Sequence, residues 1–146
     1  GNEKVCSGSS RWCMVDLNTF SVLPTSAFFE GGTREYNVFR ALDFNSWRLP
    51  PLKEGEKKYE KLVSYSDYDH YNHVNNTKYA DMCMDAFSVE EMKERSLKSV
   101  QITYVKQCKY GEKLEFFRCD DGEFSYIEGR VDGEARVRMK MSFFKN

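Results

Sequence analysis

No stretch of this sequence approaches the roughly 20 consecutive apolar residues that a membrane-spanning helix needs, and its start lacks the basic and apolar segments of a secretory leader. No membrane partner is therefore expected. An excess of charge of either sign is missing too: Lys+Arg 22 against Asp+Glu 23 leave a formal net charge of -1. No global basic field points to nucleic acid, and no acidic excess points to disorder. Five cysteines, at 6, 13, 83, 108 and 119, form no C-x-x-C pair. An odd number without short spacings speaks against both a zinc site and a disulfide framework, and fits a reducing, cytoplasmic setting. No internal repeat is evident. The first residue is Gly rather than Met, which suggests that the natural protein begins upstream.

With 146 residues, 40% of them hydrophobic, the chain is long enough for one substantial core. Its clearest organisation is C-terminal. Asp121-Gly122 and Asp132-Gly133 are hairpin turn signals flanked by strand-forming residues, and predict three antiparallel strands in succession. In the last, Ala135, Val137, Met139, Met141 and Phe143 alternate with Arg136, Arg138, Lys140 and Ser142, which predicts one apolar and one basic face. That basic face reads either as a docking surface for an acidic partner or as an ordinary solvated face. Upstream, Val100, Ile102 and Tyr104 alternate in a further strand, expected to pair with the one carrying Leu114 and Phe116.

Between them, Tyr79, Met82, Cys83, Ala86 and Phe87 recur at helical spacing, with Asn75 or Asn76 as N-cap and an end near Ser88. The N-terminal third reads as a strand, a turn at residues 16–19 and a short return, followed by a linker rich in aromatics. One helix against an antiparallel sheet is an α+β layer architecture. Since a single helix of about 11 residues would cover only part of such a sheet, pairing with a second similar domain is expected.

Both histidines, His70 and His73, fall in "SDYDHYNHVNNTKYADMCMDAF", at the start of the helix. Ordinary structural roles account for much of it. Asp67 can close the strand through backbone N–H groups, His70 can face solvent, and Asn75 and Asn76 can cap the helix or brace the loop. Met82, Cys83 and Met84 suit a core or the lining of an apolar tunnel. Cys108, on a strand, reads as a small buried hydrophobe. His73, among polar neighbours at a loop-to-helix transition, reads as a site residue.

Ser66, Asp67, Asp69, His73, Val74, Asn75, Asn76, Lys78 and Tyr79 resemble, in order and spacing, the signature that opens the second hotdog domain of the acyl-acyl-carrier-protein thioesterases of plants and bacteria. "SSRWCMVDLNTFSVLPTSAF" is similar to the closing strands of that family's first hotdog domain, and "VQITYVKQCKYGEKL" to a later strand of the form I-x-Y-x-x-E-C-x-x-G-D. Two positions depart. Tyr71 stands where the family's asparagine usually does, with Asn72 one residue later, and Gln107 replaces the glutamate before Cys108.

The resemblance implies a hotdog fold, an antiparallel sheet wrapped around one central helix. Residues 60–146 would form that domain, residues 25–59 a linker and residues 1–24 the remnant strands of a first hotdog repeat. It further implies hydrolysis of fatty acyl-acyl-carrier-protein thioesters in fatty acid biosynthesis, without metal or organic cofactor, in the cytoplasm or, in a plant, the plastid stroma. The catalytic candidates are Asp69, His73, Asn72 and Gln107; Asn75, Tyr79 and Met82 are expected to contact substrate. The expected partners are an acyl carrier protein with its acyl chain and a second hotdog domain. Single-hotdog acyl-CoA thioesterases, which commonly read D-x-D-x-x-G-H-V-N-N, offer a second enzyme reading. A non-catalytic acyl-binding or dimerisation domain is a third.

Overall fold

The computed structural model describes residues 3–16, 18–19, 21–24, 26, 42 and 46–144. The chain divides into two compact units, Gly1–Trp47 and Arg48–Asn146. In the first, β1 (Met14–Val15) and β2 (Val22–Leu23) form an antiparallel hairpin. Its turn is held by Asp16, whose Oδ1 accepts the N–H groups of Thr19 and Asn18 at 2.8 Å each, and these bonds hold its carboxyl below the usual range. The strand, turn and return read from residues 9–24 are thus present. Most of the segment read as a linker, including Gly31-Gly32, lies outside the described residues. Its last part does not remain linker: residues 56–59 open a strand of the main sheet.

In the second unit the order is β3 (Glu56–Leu62), a 3-10 turn (Tyr65–Asp67), α1 (Asn76–Met84), α2 (Val89–Lys93), β4 (Leu97–Tyr104), β5 (Lys113–Asp120), β6 (Phe124–Val131) and β7 (Glu134–Phe143). The sheet order is β3-β5-β6-β7-β4, with every neighbouring pair antiparallel. Both Asp-Gly turns close hairpins as their sequence demands. Asp132 and Gly133 have φ of 50° and 78°, a pair of left-handed residues that matches the twist of the flanking strands. At the other, Asp121 Oδ1 accepts the N–H groups of Phe124 and Glu123 at 2.7 and 3.0 Å, and Gly122 takes φ 91°.

The α+β reading holds, with three corrections. First, β4 pairs with β7 and not with β5. Both edges of β5 are already taken, by β6 and by β3, so the segment 105–112 carries the chain from one sheet edge back towards the other. Second, α1 ends at Met84 rather than near Ser88. Ala86 and Phe87 donate to the carbonyls of Cys83 and Met84 in a tightened turn, and Ser88 then caps α2, accepting from Glu91 N–H at 3.1 Å. Ala86 and Phe87 still reach the core.

Third, the strict alternation along β7 is broken. Gly129 pairs with Val137 but Arg130 with Ala135, which leaves Arg136 as an extra residue, a β-bulge. Arg136, Arg138 and Lys140 therefore do not share a solvated basic face. Arg136 is buried, with Glu134 at 2.5 Å and Glu112 at 3.9 Å. Arg138 donates to buried Glu128 at 2.5 Å and to the Leu49 carbonyl at 3.2 Å, and Lys140 sits 3.5 Å above the Phe124 ring.

The core lies between α1 and the sheet: Val74, Tyr79, Met82 and Cys83 from the helix side meet Leu114, Phe116, Ile127, Val137, Met139 and Met141. Full burial of each large apolar side chain stabilises the fold by roughly 1.5–3 kcal/mol. On the other face of the sheet, residues 49–52 cross Glu128 and its two arginines. Leu52 N–H donates to Glu128 at 3.2 Å, and Arg130 donates to the Leu52 carbonyl at 2.8 Å. α2 is tied down by buried Arg118, which donates to the Ala86 carbonyl at 2.8 Å and to Glu91 at 2.5 Å. That guanidinium, with Ser88 N–H, holds the Glu91 carboxyl down at about 2.

Candidate active site

The loop between β3 and α1 is built by its own carboxylates and amides. Asp67, 4% exposed, closes the strand: its Oδ2 accepts Ser64 N–H at 2.8 Å and pairs with Lys61 at 2.9 Å, and its carbonyl accepts Asn75 N–H at 2.9 Å. The structural role read for Asp67 is the one it has. Tyr68 and Val74 form an isolated antiparallel bridge, so residues 69–73 are pinched into a tight excursion. Asp69 N–H donates to the His73 carbonyl at 2.9 Å across the neck.

Inside the excursion, Asp69 Oδ1 accepts Tyr71 N–H at 2.8 Å and, more weakly, His73 N–H at 3.4 Å. One carboxylate oxygen thus shapes the loop, and among the described residues no hydrogen bond engages the other. The bend forces Asn72 to φ 60°, a left-handed conformation that asparagine tolerates better than most residues. Asn72 and Tyr71 are exposed, and the Tyr71 ring lies 3.9 Å from that of His70. His73 is half-buried, and among the described residues no hydrogen bond engages its imidazole.

Asn75 is the N-cap of α1, its Oδ1 accepting from Thr77 N–H and Thr77 Oγ1 at 2.9 Å each. Its side-chain oxygen is therefore engaged by the helix end. Lys78 N–H reaches the Asn75 carbonyl at 2.9 Å, and among the described residues Asn76 N–H has no acceptor, at the positive end of the helix. Met82 is 2% exposed in the core, below the carbonyl to which the Tyr59 hydroxyl donates.

Tyr79 and Gln107 come together, 28 residues apart in sequence. The Tyr79 ring is 1% exposed; its hydroxyl accepts Cys108 N–H at 2.8 Å and donates to Gln107 Oε1 at 3.5 Å. Burial pushes the Tyr79 hydroxyl well above its ordinary pKa, so it stays protonated. Tyr68, from the loop, donates to the Cys108 carbonyl at 3.4 Å. The Gln107-Cys108 segment is thereby bonded to both the loop and the helix. Burial raises the Cys108 thiol, which outweighs the help of Tyr79 and Arg136, and burial takes Cys83 up to about 12. Neither thiol is poised as a nucleophile.

Sequence reasoning did not single out Tyr68, and it read Arg136 as part of a basic face and not as a neighbour of the segment that carries Gln107. Tyr68 stands between Asp67 and Asp69 and could have been found from the motif itself. Arg136 could not, because the bulge that turns it inward has no local signature.

The sequence matches the family Acyl-ACP thioesterase C-terminal domain over residues 52–141. No curated protein sequence matches significantly. Among solved structures, an acyl-ACP thioesterase from Bacteroides thetaiotaomicron is similar, with a TM-score of 0.74 and 22% identity over 89% of this chain and 53% of that one. A 12:0-ACP thioesterase from Umbellularia californica gives 0.58 and 16% identity over 68% of this chain and 40% of that one. A Thermus thermophilus thioesterase complexed with coenzyme A and Zn gives 0.55 and 14% identity over 64% and 86%. These likenesses establish the hotdog fold. The chain spans about half the length of the Bacteroides protein.

Proposed function

The chain belongs to the acyl-ACP thioesterase C-terminal domain family, and from that premise we propose that it hydrolyses fatty acyl thioesters carried by acyl carrier protein, releasing free fatty acid in fatty acid biosynthesis. The observation that carries this reading is the loop itself. It joins a carboxylate whose Oδ1 alone is hydrogen-bonded among the described residues, Asp69, and half-buried His73 to the N-terminus of α1 in a short, tightly bonded segment.

In this reading the free oxygen of Asp69 takes the proton of a water as it attacks the thioester carbonyl, and His73 holds or shares that proton. Its Oδ1 keeps the group in place through Tyr71 N–H. Asn76 N–H, aided by the helix dipole, faces the charge that develops on the carbonyl oxygen. Neither a metal nor an organic cofactor enters these steps. The family's asparagine position is filled by exposed Tyr71, and Asn72, on the outside of the bend, is a positioning element of the loop.

The same reading pairs this domain with a second hotdog domain. β4 is an edge of the sheet, with no further strand beside it among the described residues, and it exposes Leu97, Val100 and Tyr104. An apolar, unpaired edge of this length is a template for another strand. Such a pairing, within a longer chain or between two copies, would enclose the acyl chain beside α1.

The test is hydrolysis of a panel of acyl-carrier-protein and acyl-CoA thioesters. Turnover of the carrier-bound esters with little on CoA supports the proposal. Turnover of CoA esters alone would replace the carrier assignment, and a folded protein inactive on both would leave an acyl-binding domain.

A further inference from the structure

The hydroxyl of Tyr79 has one proton to give. Cys108 N–H, 2.8 Å away, takes a lone pair and cannot accept, and the hydroxyl donates to Gln107 Oε1 at 3.5 Å, with the Cys108 thiol as the other acceptor beside it. Gln107 is exposed while Tyr79 is buried, so the contact anchors one end of a side chain that is otherwise free to turn. Its amide oxygen is the end that is engaged.

The peptide beneath Gln107 is unusually constrained. Tyr68 grips the Cys108 carbonyl and Tyr79 the Cys108 N–H. On the other side, the bulge residue Arg136 accepts both Val105 and Lys106 N–H on its carbonyl, at 2.8 and 3.2 Å. Its guanidinium bonds Glu134, which also holds Lys106 at 2.9 Å, and reaches towards Glu112, which accepts Lys109 N–H at 2.9 Å. Bulges beside active sites commonly re-aim a side chain in this way.

We propose that Tyr79 is a positioning residue: it fixes the Gln107 amide with its oxygen inward and its nitrogen presented beside the candidate loop, so that this position supplies a hydrogen-bond donor. This inference rests on the hydrolase reading for its functional meaning. Tyr79 then serves the reaction through Gln107 and not by lining the acyl chain.

Two measurements on the same proteins test it. The Gln107 side-chain amide resonances, assigned through Gln107→Ala, should move towards free-glutamine positions and sharpen in Tyr79→Phe; resonances unchanged by that variant overturn the inference. In kinetics with an acyl-carrier-protein thioester, Tyr79→Phe should lower kcat about fivefold with KM little changed, the worth of one hydrogen bond. The same change made in Gln107→Ala should have no further effect, whereas full additivity overturns the inference. Thermal melts of all variants identify any loss of fold. A parent inactive on every thioester would overturn the hydrolase reading alone, since the amide resonances still decide the role of Tyr79.

Discussion

Replacing Glu128 by Gln tests how the crossing segment 49–52 is held to the sheet. The carboxylate side chain is 4% exposed and accepts from Arg138 Nε at 2.5 Å, Arg130 Nε at 2.6 Å and Leu52 N–H at 3.2 Å. An amide keeps the shape but removes the charge, and its NH2 must face one guanidinium. Breaking a fully buried ion pair costs roughly 3–5 kcal/mol. Here the arginines are 23% and 18% exposed, so water relieves part of the penalty and about 2–3 kcal/mol is expected. For a unit of this size that lowers Tm by about 10 °C or more. Burial, the largest single influence, pushes the Glu128 carboxyl up, but the bonds from Arg138, Arg130 and Leu52 together outweigh it and leave its pKa below the ordinary value. A carboxyl lowered on folding contributes stability above its unfolded pKa and loses it as pH falls through the folded one. The gap between parent and Glu128→Gln, read from urea unfolding, should therefore be full near pH 7 and narrow on acidification below about 4. A difference under about 0.5 kcal/mol at pH 7, or one that widens in acid, would refute the reasoning.

Asp69→Asn and Asp69→Ala separate the two jobs of that carboxylate. The amide can still accept Tyr71 N–H, so Asp69→Asn should leave Tm nearly unchanged while kcat falls about 100-fold or more; Asp69→Ala should add a loss of about 1 kcal/mol in stability. Retained turnover in Asp69→Asn would remove Asp69 from the chemistry. Gly129→Ala should destabilise by about 1–3 kcal/mol in chemical unfolding, because a Cβ there would sit 2.8 Å from Phe116 Cε1 and 3.0 Å from Val137 Cγ1. A neutral outcome would mean that the Phe116 ring has room to shift.

What the sequence made legible is what short segments decide for themselves. The two Asp-Gly turns and the Asp16 turn each satisfy their own backbone within a few residues and are found where they were read, and the helix cap falls on Asn75, one of the two asparagines read for it. The partner of β4 was not legible, because Val100, Ile102 and Tyr104 would suit either neighbour. The choice follows from β3, some 40 residues upstream, occupying the free edge of β5. The candidate site divides along the same line. Loop residues 66–75 announced themselves as a motif, whereas the contact between Tyr79 and Gln107 depends on how segment 105–112 crosses back over the core.

The bulge at Arg136 explains both a misread surface and a site contact. Without the extra residue, Arg136 would continue the alternation with Arg138 and Lys140 and stand on the outer face beside Glu128. With it, Arg136 turns inward, and its carbonyl is free to take two N–H groups from the segment that carries Gln107. On the outer face, Arg130 and Arg138 then share buried Glu128. The same insertion supplies the inner side with a guanidinium between Glu134 and Glu112. A single residue of register thus moves one positive charge across the sheet, and the segment behind the candidate site is built around where it lands.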